Sequence, residues 1–305
     1  MLRIFWLLLV SALSCSALAA PMAWVKVALA PVTLAADSAS EQVTQVLLWD
    51  AVEVLKTEGQ WANVLVPEQY RTERGYPGWM RLEALDLKPV QANGPWLAVS
   101  YPYVALRAQP NTKAAVLVQA YMSTRLPATA PLARAQKRDA SGEAWYSVRL
   151  PSGEIAWVRA SQVQVEVEPV LSDGFKVVSK AKSLEETPYL WGGMSKTGID
   201  CSGLIYVSYR MSGVTLPRDA DQQFQVGEAI LPEDLLPGDL VFFGEPGDIT
   251  HVGMYAGKGT FVHASSGSGV TQSTLFEGWY KQYYRGARRI LRESAGGTRV
   301  LKPTP

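Results

Sequence analysis

Once the first nineteen residues are set aside, this chain contains a single cysteine, Cys201, so it must fold without an internal disulfide. The remaining stretch of roughly 285 residues is longer than one compact core usually supports, which predicts two or three domains. The chain has only two histidines, His251 and His263. One thiol and two imidazoles are also the set that nucleophilic thiol catalysis requires: a nucleophile, a base and a group to orient the base.

The amino-terminal residues resemble a secretory signal peptide. Arg3 is followed by an apolar run from Ile4 to Leu13 and by Ala17-Leu18-Ala19, a small-x-small cleavage pattern. This run is too short to span a bilayer, and no later apolar run is long enough. We therefore predict a signal peptide at 1–19 and an exported protein, periplasmic or extracellular. The alternative is a lipoprotein signal with Cys15 acylated, although the leucine before it lies one position late for that pattern.

Charge and cysteine content restrict the partners. The net charge is +1 with mixed signs and no basic block, so neither nucleic acid nor an anionic membrane surface is an expected partner. An unpaired cysteine in an exported chain either pairs with another chain or remains a working thiol. The oligomeric state is left open, with a monomer favoured.

Two blocks of short alternating runs precede the cysteine. The first, at 22–92, contains runs such as 43–49 and 61–66 separated by turn-prone residues, which is typical of a small β-barrel or sandwich. The pattern repeats at 95–168. Both blocks end alike, with Gly78-Trp79-Met80 in the first and Ala156-Trp157-Val158 in the second, and this spacing resembles bacterial SH3-like domains. Two generic β modules are the alternative.

Helical and extended patterns are mixed from Asp173 onwards. Helices are predicted over 173–186, 202–211 and 218–226, and strands are predicted at 240–243, 251–255 and 260–264. Because the helices precede an antiparallel set of strands, this part of the chain is predicted to be an α+β domain.

Five motifs of this domain together resemble the NlpC/P60 cysteine peptidases of bacterial cell walls. They are Pro188-Tyr189-Leu-Trp191-Gly192-Gly193, Asp200-Cys201-Ser202-Gly203-Leu204, Leu236-Pro237-Gly238-Asp239-Leu240, His251-Val-Gly-Met-Tyr255 and Phe261-Val-His263-Ala264. The resemblance implies a papain-like catalytic domain at 170–292 preceded by two small all-β SH3-like barrels, with a flexible tail at 293–305. It also implies that Cys201, His251 and His263 are catalytic, and that Tyr189 and Ser202 line the substrate pocket.

The SH3-like blocks resemble those of a subgroup that acts on free wall peptides. Such a substrate is similar to L-Ala-γ-D-Glu-diamino acid, cut after D-Glu, and Glu73-Arg-Gly-Tyr-Pro-Gly-Trp79 resembles the first SH3-like domain of that subgroup. The free amino terminus of such a substrate is an ammonium group, which carboxylates of the protein would be expected to bind. Asp200 and Glu73 are the candidates, with helix capping and an exposed loop charge as the alternatives. Tyr101 or Tyr103 is a further candidate for the same cleft.

The chemistry can also be argued from the residues alone. Asp200 is a good N-cap, so Cys201 becomes the first helical residue, where free N–H groups lower the thiol pKa and offer an oxyanion site. A three-residue loop at 256–258 would make His251 and His263 direct cross-strand partners on one face. His263 would then orient His251 as the base for Cys201.

Three other functions compete with a thiol peptidase. A zinc site would need more ligands at shorter spacing than this Cys, His, His set offers, and no metal or other cofactor is expected. A wall-binding protein with a vestigial thiol domain would not be expected to keep all three residues. A thiol acyltransferase or amidase on the same fold stays open, because the acyl pocket cannot be deduced.

Overall fold

A computed structural model describes residues 20–88, 91–92, 94–165, 174–292 and 299–300. The predicted signal peptide with Cys15 lies outside the described residues, as does the predicted tail apart from 299–300. None of the helices in the described ranges combines the length and apolar character that a membrane crossing requires.

The N-terminal unit, residues 22–86, is one antiparallel sheet with strand order β3-β2-β6-β5-β4-β1-β7. Its strands are β1 (Met22–Val25), β2 (Leu29–Thr33), β3 (Gln42–Leu47), β4 (Ala51–Glu58), β5 (Trp61–Val66), β6 (Tyr76–Arg81) and β7 (Leu85–Asp86). Alternate side chains point inward, as Val52 and Val54 do on β4, and form an apolar core with Val32, Val64 and Met80.

The middle unit, residues 96–165, contains a five-stranded sheet, β10-β9-β14-β13-β12, and a three-stranded sheet, β11-β8-β15. Its elements are β8 (Trp96–Val99), β9 (Tyr103–Arg107), β10 (Val116–Tyr121), β11 (Arg125–Pro127), α1 (Leu132–Ala135), β12 (Gln136–Arg138), β13 (Ala144–Arg149), β14 (Ile155–Arg159) and β15 (Val163–Val165). The sequence ending that the two blocks share folds into the same order of elements in both units. In each unit the tryptophan-bearing strand is followed by a 3-10 helix, Leu82–Ala84 or Ala160–Gln162, and a short strand.

The C-terminal unit, residues 174–292, places its helices against a six-stranded antiparallel sheet with order β18-β23-β19-β20-β21-β22. Its elements are α2 (Gly174–Lys182), β16 (Met194–Ser195), β17 (Gly198–Ile199), α3 (Cys201–Arg210), α4 (Ala220–Gln223), β18 (Glu228–Ile230), a 3-10 helix (Pro232–Asp234), β19 (Leu240–Glu245), β20 (Asp248–Gly257), β21 (Thr260–Ser265), β22 (Gly269–Thr274), α5 (Gly278–Tyr283), β23 (Tyr284–Arg289) and β24 (Leu291–Arg292). Helix α3 is buried over most of its length, and its apolar residues share one core with β19, β20 and β21.

One sequence prediction differs from this architecture. The third helix is a single turn, α4, instead of the predicted 218–226. The chain turns at Gly227, whose φ of +82° lies in the left-handed region and whose position leaves no room for a Cβ beside the carbonyl oxygen of Arg289.

Within the predicted tail, β25 (Arg299–Val300) pairs with β24.

Polar contacts join the three units. Arg210 at the end of α3 forms a buried ion pair with Asp50 at 2.6 Å, and the same guanidinium contacts Glu68 at 2.7 Å. The indole of Trp49 donates a hydrogen bond to the carbonyl oxygen of Arg149 at 2.7 Å. Since a buried ion pair is favourable only with both partners present, Asp50 and Arg210 make the contact between the N-terminal and C-terminal units specific.

Replacing Asp50 by alanine should destabilise the protein strongly. The side chains of Asp50 and Arg210 are only 8% and 7% exposed, so Asp50→Ala leaves a buried cation whose other partner, Glu68, is half-exposed. The expected loss is about 3 to 5 kcal/mol in the free energy of unfolding, measured by urea denaturation. Glu58→Ala, which breaks an exposed pair with Lys56, is the control and should cost less than about 1 kcal/mol. Equal losses in the two variants would contradict the importance assigned to the buried pair.

Candidate active site

Helix α3 begins at Cys201, as the sequence predicts, because Asp200 caps it. Asp200 has extended backbone angles, and its Oδ1 accepts a hydrogen bond from the N–H of Gly203 at 2.6 Å. Gly203 has no room for a side chain, since a Cβ there would lie 2.3 Å from the carbonyl oxygen of Gly193. The first turn of α3 is thus packed directly against the Gly192-Gly193 segment, which fixes the position of Cys201.

Arg218 is a buried residue of this site that the sequence did not single out. Its Nη1 and Nη2 donate to the two carboxylate oxygens of Asp200 at 3.0 and 2.8 Å, and Nη1 also donates to the hydroxyl of Ser202 at 2.9 Å. The Asp200 carboxylate further accepts from the N–H groups of Gly192 and Gly203. Its oxygens are therefore fully occupied, and Asp200 has no lone pair left for a substrate ammonium group.

The thiol of Cys201 is buried, with 6% of the residue exposed. Burial, followed by the charge of Asp200, raises its pKa to about 12. Hydrogen bonds from the backbone N–H groups of Val252 and Ser202 act in the opposite direction but are the weaker influence. The sequence-based expectation of a lowered thiol pKa is therefore wrong for the free protein, because desolvation outweighs the helix terminus.

His251 and His263 share one face of the sheet, but the predicted direct pairing is wrong. The β20–β21 turn is Lys258-Gly259, both residues with positive φ, and a bulge at Ala256 shifts the register. The pairing of Met254 with Val262, extended along the strands, puts His263 opposite residue 253, diagonal to His251. The two rings still meet, with Nε2 of His251 3.0 Å from Nδ1 of His263.

Both imidazoles are neutral at pH 7. Burial, partly offset by the charge of Asp200, lowers the pKa of His251 to about 4. Burial and the neighbouring His251 lower the pKa of His263 to about 3. The second nitrogen of His263, Nε2, lies 2.9 Å from the hydroxyl of Ser273 and 3.3 Å from that of Tyr280. Cys201 contacts the backbone of Val252, the residue after His251, and a neutral thiol can pass its proton to a neutral imidazole, so the arrangement suits nucleophilic catalysis.

The other predicted pocket residues lie at different distances from the thiol. Tyr189 lies close enough to the thiol for the charges of Cys201 and Asp200 to act on it. Burial, followed by these charges, raises the pKa of its hydroxyl. Ser202 is buried, and its hydroxyl is bonded to Arg218 and Asp200. Tyr101 lines a separate cavity of about 430 Å³ beside Lys196, and among the described residues that line it are none of the catalytic candidates.

The N-terminal unit is built into the wall of this site. The hydroxyl of Thr44 accepts a hydrogen bond from Nε of Arg218 at 3.0 Å. Gln45 accepts one from the N–H of Met194 at 2.9 Å, and Gln42 donates one to the carbonyl oxygen of Trp191 at 2.8 Å. Strand β3 therefore contacts the segment that leads into the N-cap of Cys201.

A second contact brings the Glu73 turn to the C-terminal unit. Arg71 forms an ion pair with Asp219, and the hydroxyl of Tyr76 donates to the same carboxylate at 3.1 Å. Gln222 donates to the carbonyl oxygen of Arg71 at 2.7 Å. The N-terminal unit thus folds back onto the C-terminal unit at this turn, in which the exposed Glu73 lies between Arg71 and Tyr76. The role of Glu73 in substrate binding stays a prediction. Asp219, which no sequence motif marked, is a second carboxylate at this contact.

Among the described residues, no three His, Cys, Asp or Glu side chains form a cluster that could hold a metal ion.

Comparison with known proteins places this site in a family. The pattern of the NlpC/P60 family matches residues 186–289, which include Cys201 and both histidines. A gamma-D-glutamyl-L-lysine dipeptidyl-peptidase of Bacillus cereus is 34% identical over 268 residues, 83% of this chain and 77% of the relative. The Bacillus subtilis protein of the same name is 32% identical over 257 residues, 82% of this chain and 81% of the relative.

A solved structure agrees with the sequence comparison. The crystal structure of an NlpC/P60 family protein from Bacillus cereus superposes with a TM-score of 0.78 at 29% identity. The match covers 88% of this chain and 99% of that chain, so it includes the all-β units as well as the C-terminal unit. The chain belongs to the NlpC/P60 family.

Proposed function

We propose that the protein is a cysteine dipeptidyl-peptidase that hydrolyses the bond between γ-D-Glu and the following diamino acid of murein stem peptides. The observation that carries this proposal is the buried Cys201 at the helix start, beside the strand of His251, in a chain similar over most of its length to gamma-D-glutamyl-L-lysine dipeptidyl-peptidases. Cys201 is the nucleophile, His251 the base and His263 its orienting partner.

The mechanism begins from a neutral pair. His251 takes the thiol proton as the sulfur attacks the γ-carbonyl carbon of D-Glu, and the backbone N–H of Cys201 donates to the developing oxyanion. The imidazolium then protonates the leaving amine of the diamino acid. Water, deprotonated by His251, attacks the thioester and releases the dipeptide and the free thiol.

Neither alternative has an observation that favours it. A wall-binding protein would not need two buried imidazoles hydrogen-bonded to each other on the strands next to a buried thiol. An acyltransferase or amidase would need an acyl pocket suited to another substrate, whereas the relatives named above are peptidases.

We also propose the identity and location of the parts around the catalytic unit. The two all-β units are SH3-like domains, a proposal supported by their shared strand, 3-10 helix and strand ending. Residues 1–19 are a signal peptide, and the protein acts outside the cytoplasm, where murein peptides are found. The sequence supports this with Arg3, the apolar run that follows and the small-residue cleavage pattern.

The N-terminal unit closes the amino end of the cleft. Support comes from the hydrogen bonds of β3 to the segment before Cys201 and from the contact between the Glu73 turn and Asp219. The side chain of Asp200 is buried and fully bonded, whereas that of Asp219 is 21% exposed although it also binds Arg71 and Tyr76. Asp219 therefore takes the place of Asp200 as the proposed partner of Glu73 in binding the ammonium group of L-Ala. A cleft closed in this way accepts one dipeptide and excludes a peptide whose amino end is attached to muramic acid.

The alkylation rate of Cys201 in the free enzyme should rise with pH. Because its thiol pKa is about 12, the thiolate fraction, and with it the rate of reaction with iodoacetamide, should grow about tenfold per pH unit between pH 7 and 9. The rate is followed by mass spectrometry of the peptide that contains Cys201. Free glutathione is measured in parallel as the control for reagent chemistry. A rate independent of pH over this range would show that a thiolate–imidazolium pair already exists at rest.

The three catalytic residues should differ in the damage their loss causes. Cys201→Ser and His251→Ala should each lower kcat/KM by roughly 10⁴ or more, since nucleophile and base are lost outright. His263→Ala should lower it about a hundredfold, because the base survives with poorer orientation. The substrate is L-Ala-γ-D-Glu with either L-Lys or meso-diaminopimelate, and the released dipeptide is measured. Equal and mild losses at both histidines would mean that the base is misassigned.

Blocking the amino group of the substrate should abolish most of the activity. N-acetylation removes the positive charge that Glu73 and Asp219 are proposed to bind and adds bulk at a closed end of the cleft, so kcat/KM should fall about a hundredfold or more. Glu73→Gln should reduce the ratio of kcat/KM between the free and the acetylated tripeptide and leave the alkylation rate of Cys201 unchanged. Glu58→Gln, an exposed glutamate of the same unit, is the matched control. Similar rates for free and acetylated tripeptides would show that the cleft is open at its amino end.

A further inference from the structure

The ring of His263 contacts four side chains, which together restrict its orientation. The residue is fully buried, and its ring stacks on Phe261 with centroids 4.7 Å apart. Tyr280 packs against it edge-on at 5.2 Å, and His251 does so at 5.0 Å. Both ring nitrogens have partners: Nδ1 faces His251, and Nε2 faces the hydroxyl of Ser273.

A neutral imidazole has one proton for its two nitrogens, so the contacts of His263 decide the tautomer of its neighbour. With the proton on Nε2, His263 donates to a hydroxyl, and its Nδ1 accepts a hydrogen bond from Nε2–H of His251. His251 then has a free lone pair on Nδ1. With the proton on Nδ1 of His263, the order reverses, and Nδ1 of His251 carries a proton that prevents it from acting as a base.

We propose that Ser273 is a positioning residue that accepts a hydrogen bond from Nε2–H of His263 and so holds both imidazoles in the tautomer that leaves Nδ1 of His251 free for the thiol proton. The proposal rests on the thiol mechanism above and adds a fourth member to its network. Ser273 touches no reacting atom and acts only through His263.

The same tautomer serves every step of the reaction. When His251 becomes an imidazolium, its Nε2–H continues to donate to Nδ1 of His263, so His263 neither gains nor loses a proton. Only the thiol proton moves, and it moves between Cys201 and His251. A neutral, fixed acceptor of this kind suits a dry site, where a change of charge on His263 would be costly.

The sheet register explains why a serine at this position reaches His263. On β21 and β22, Phe261 pairs with Ser273, and His263 pairs with Thr271. Ser273 is thus diagonal to His263, just as His263 is diagonal to His251 by the register of the preceding pair of strands. The second hydroxyl, of Tyr280 on α5, lies farther away at 3.3 Å and is the weaker acceptor.

The tautomers can be read directly by nitrogen NMR of ¹⁵N-histidine-labelled protein. The chain has only two histidines, so its four ring nitrogens can be assigned with Ser273→Ala and His263→Ala as references. At pH 7 the wild type should show a protonated Nε2 and an unprotonated Nδ1 on both rings. In Ser273→Ala, and more fully in Ser273→Ala/Tyr280→Phe, signals of the Nδ1–H tautomer should appear on both rings.

Kinetics then separate positioning from structure. Ser273→Ala should lower kcat about tenfold with KM unchanged, because one neutral hydrogen bond sets the tautomer. Ser273→Thr keeps the hydroxyl and should restore both the wild-type tautomers and most of kcat. Tyr280→Phe keeps Ser273 and should stay within about twofold of wild type.

Two results would overturn the proposal. One is unchanged tautomers in the double variant; the other is a fall in kcat for Ser273→Ala with no change in its nitrogen signals, which would indicate a structural role. The NMR experiment needs no substrate, so it fails independently of the proposed function. If the wild type shows the stated tautomers, the double variant loses them and the wild type cleaves neither tripeptide, the proposed function is refuted and this proposal is supported.

Discussion

The site depends on the buried ion pair between Arg218 and Asp200. The pair neutralises the N-cap of α3, and the same guanidinium binds Ser202, the carbonyl oxygen of Gly193 and Thr44 of the N-terminal unit. One side chain therefore determines where the nucleophile lies, how the preceding segment packs and how an all-β unit docks. Removing one partner of a buried pair costs far more than the pair contributes, so neither Arg218 nor Asp200 can change alone.

Burial also decides the charge state of the reacting groups. A helix N-terminus stabilises an anion by up to about 2 kcal/mol, whereas a rise in thiol pKa from 9.0 to about 12 corresponds to about 4 kcal/mol against the thiolate. Desolvation is therefore the larger effect in the free protein, and it acts on the base in the same sense, toward the neutral form. The thiolate of Cys201 and the imidazolium of His251 therefore form only when substrate binds, at the stage where the new oxyanion accepts hydrogen bonds from the N–H groups at the helix start. The free-energy cost of separating charge is then offset by hydrogen bonds that form in the transition state, and only such interactions raise the rate of the chemical step.

The parts of the fold that depend on residues adjacent in sequence could be predicted, whereas those that depend on contacts between distant residues could not. The cap at Asp200 and the strands around both histidines are set by residues next to one another in sequence, so they could be predicted. The shared face of His251 and His263 requires an odd number of unpaired residues in the hairpin. The two-residue turn at 258–259 and the bulged Ala256 together supply it, although the loop differs from the one predicted. Arg218, Asp219 and Ser273 have no local motif. Their roles exist because strand register and domain docking bring them to groups far away in sequence.

Contact between the units also bears on what such an enzyme can cut. A catalytic unit alone would leave Arg218 without Thr44 and the N–H of Met194 without Gln45, both buried groups that need partners. The N-terminal unit is therefore part of the site's own hydrogen bonding, and the turn that it places beside Asp219 is held by the contacts of Arg71 and Tyr76 with that carboxylate. A boundary built from such contacts would make the length of peptide accepted on the amino side a property of the fold. If the boundary lies one dipeptide from Cys201, as we propose, the enzyme selects free peptide ends by exclusion as much as by attraction.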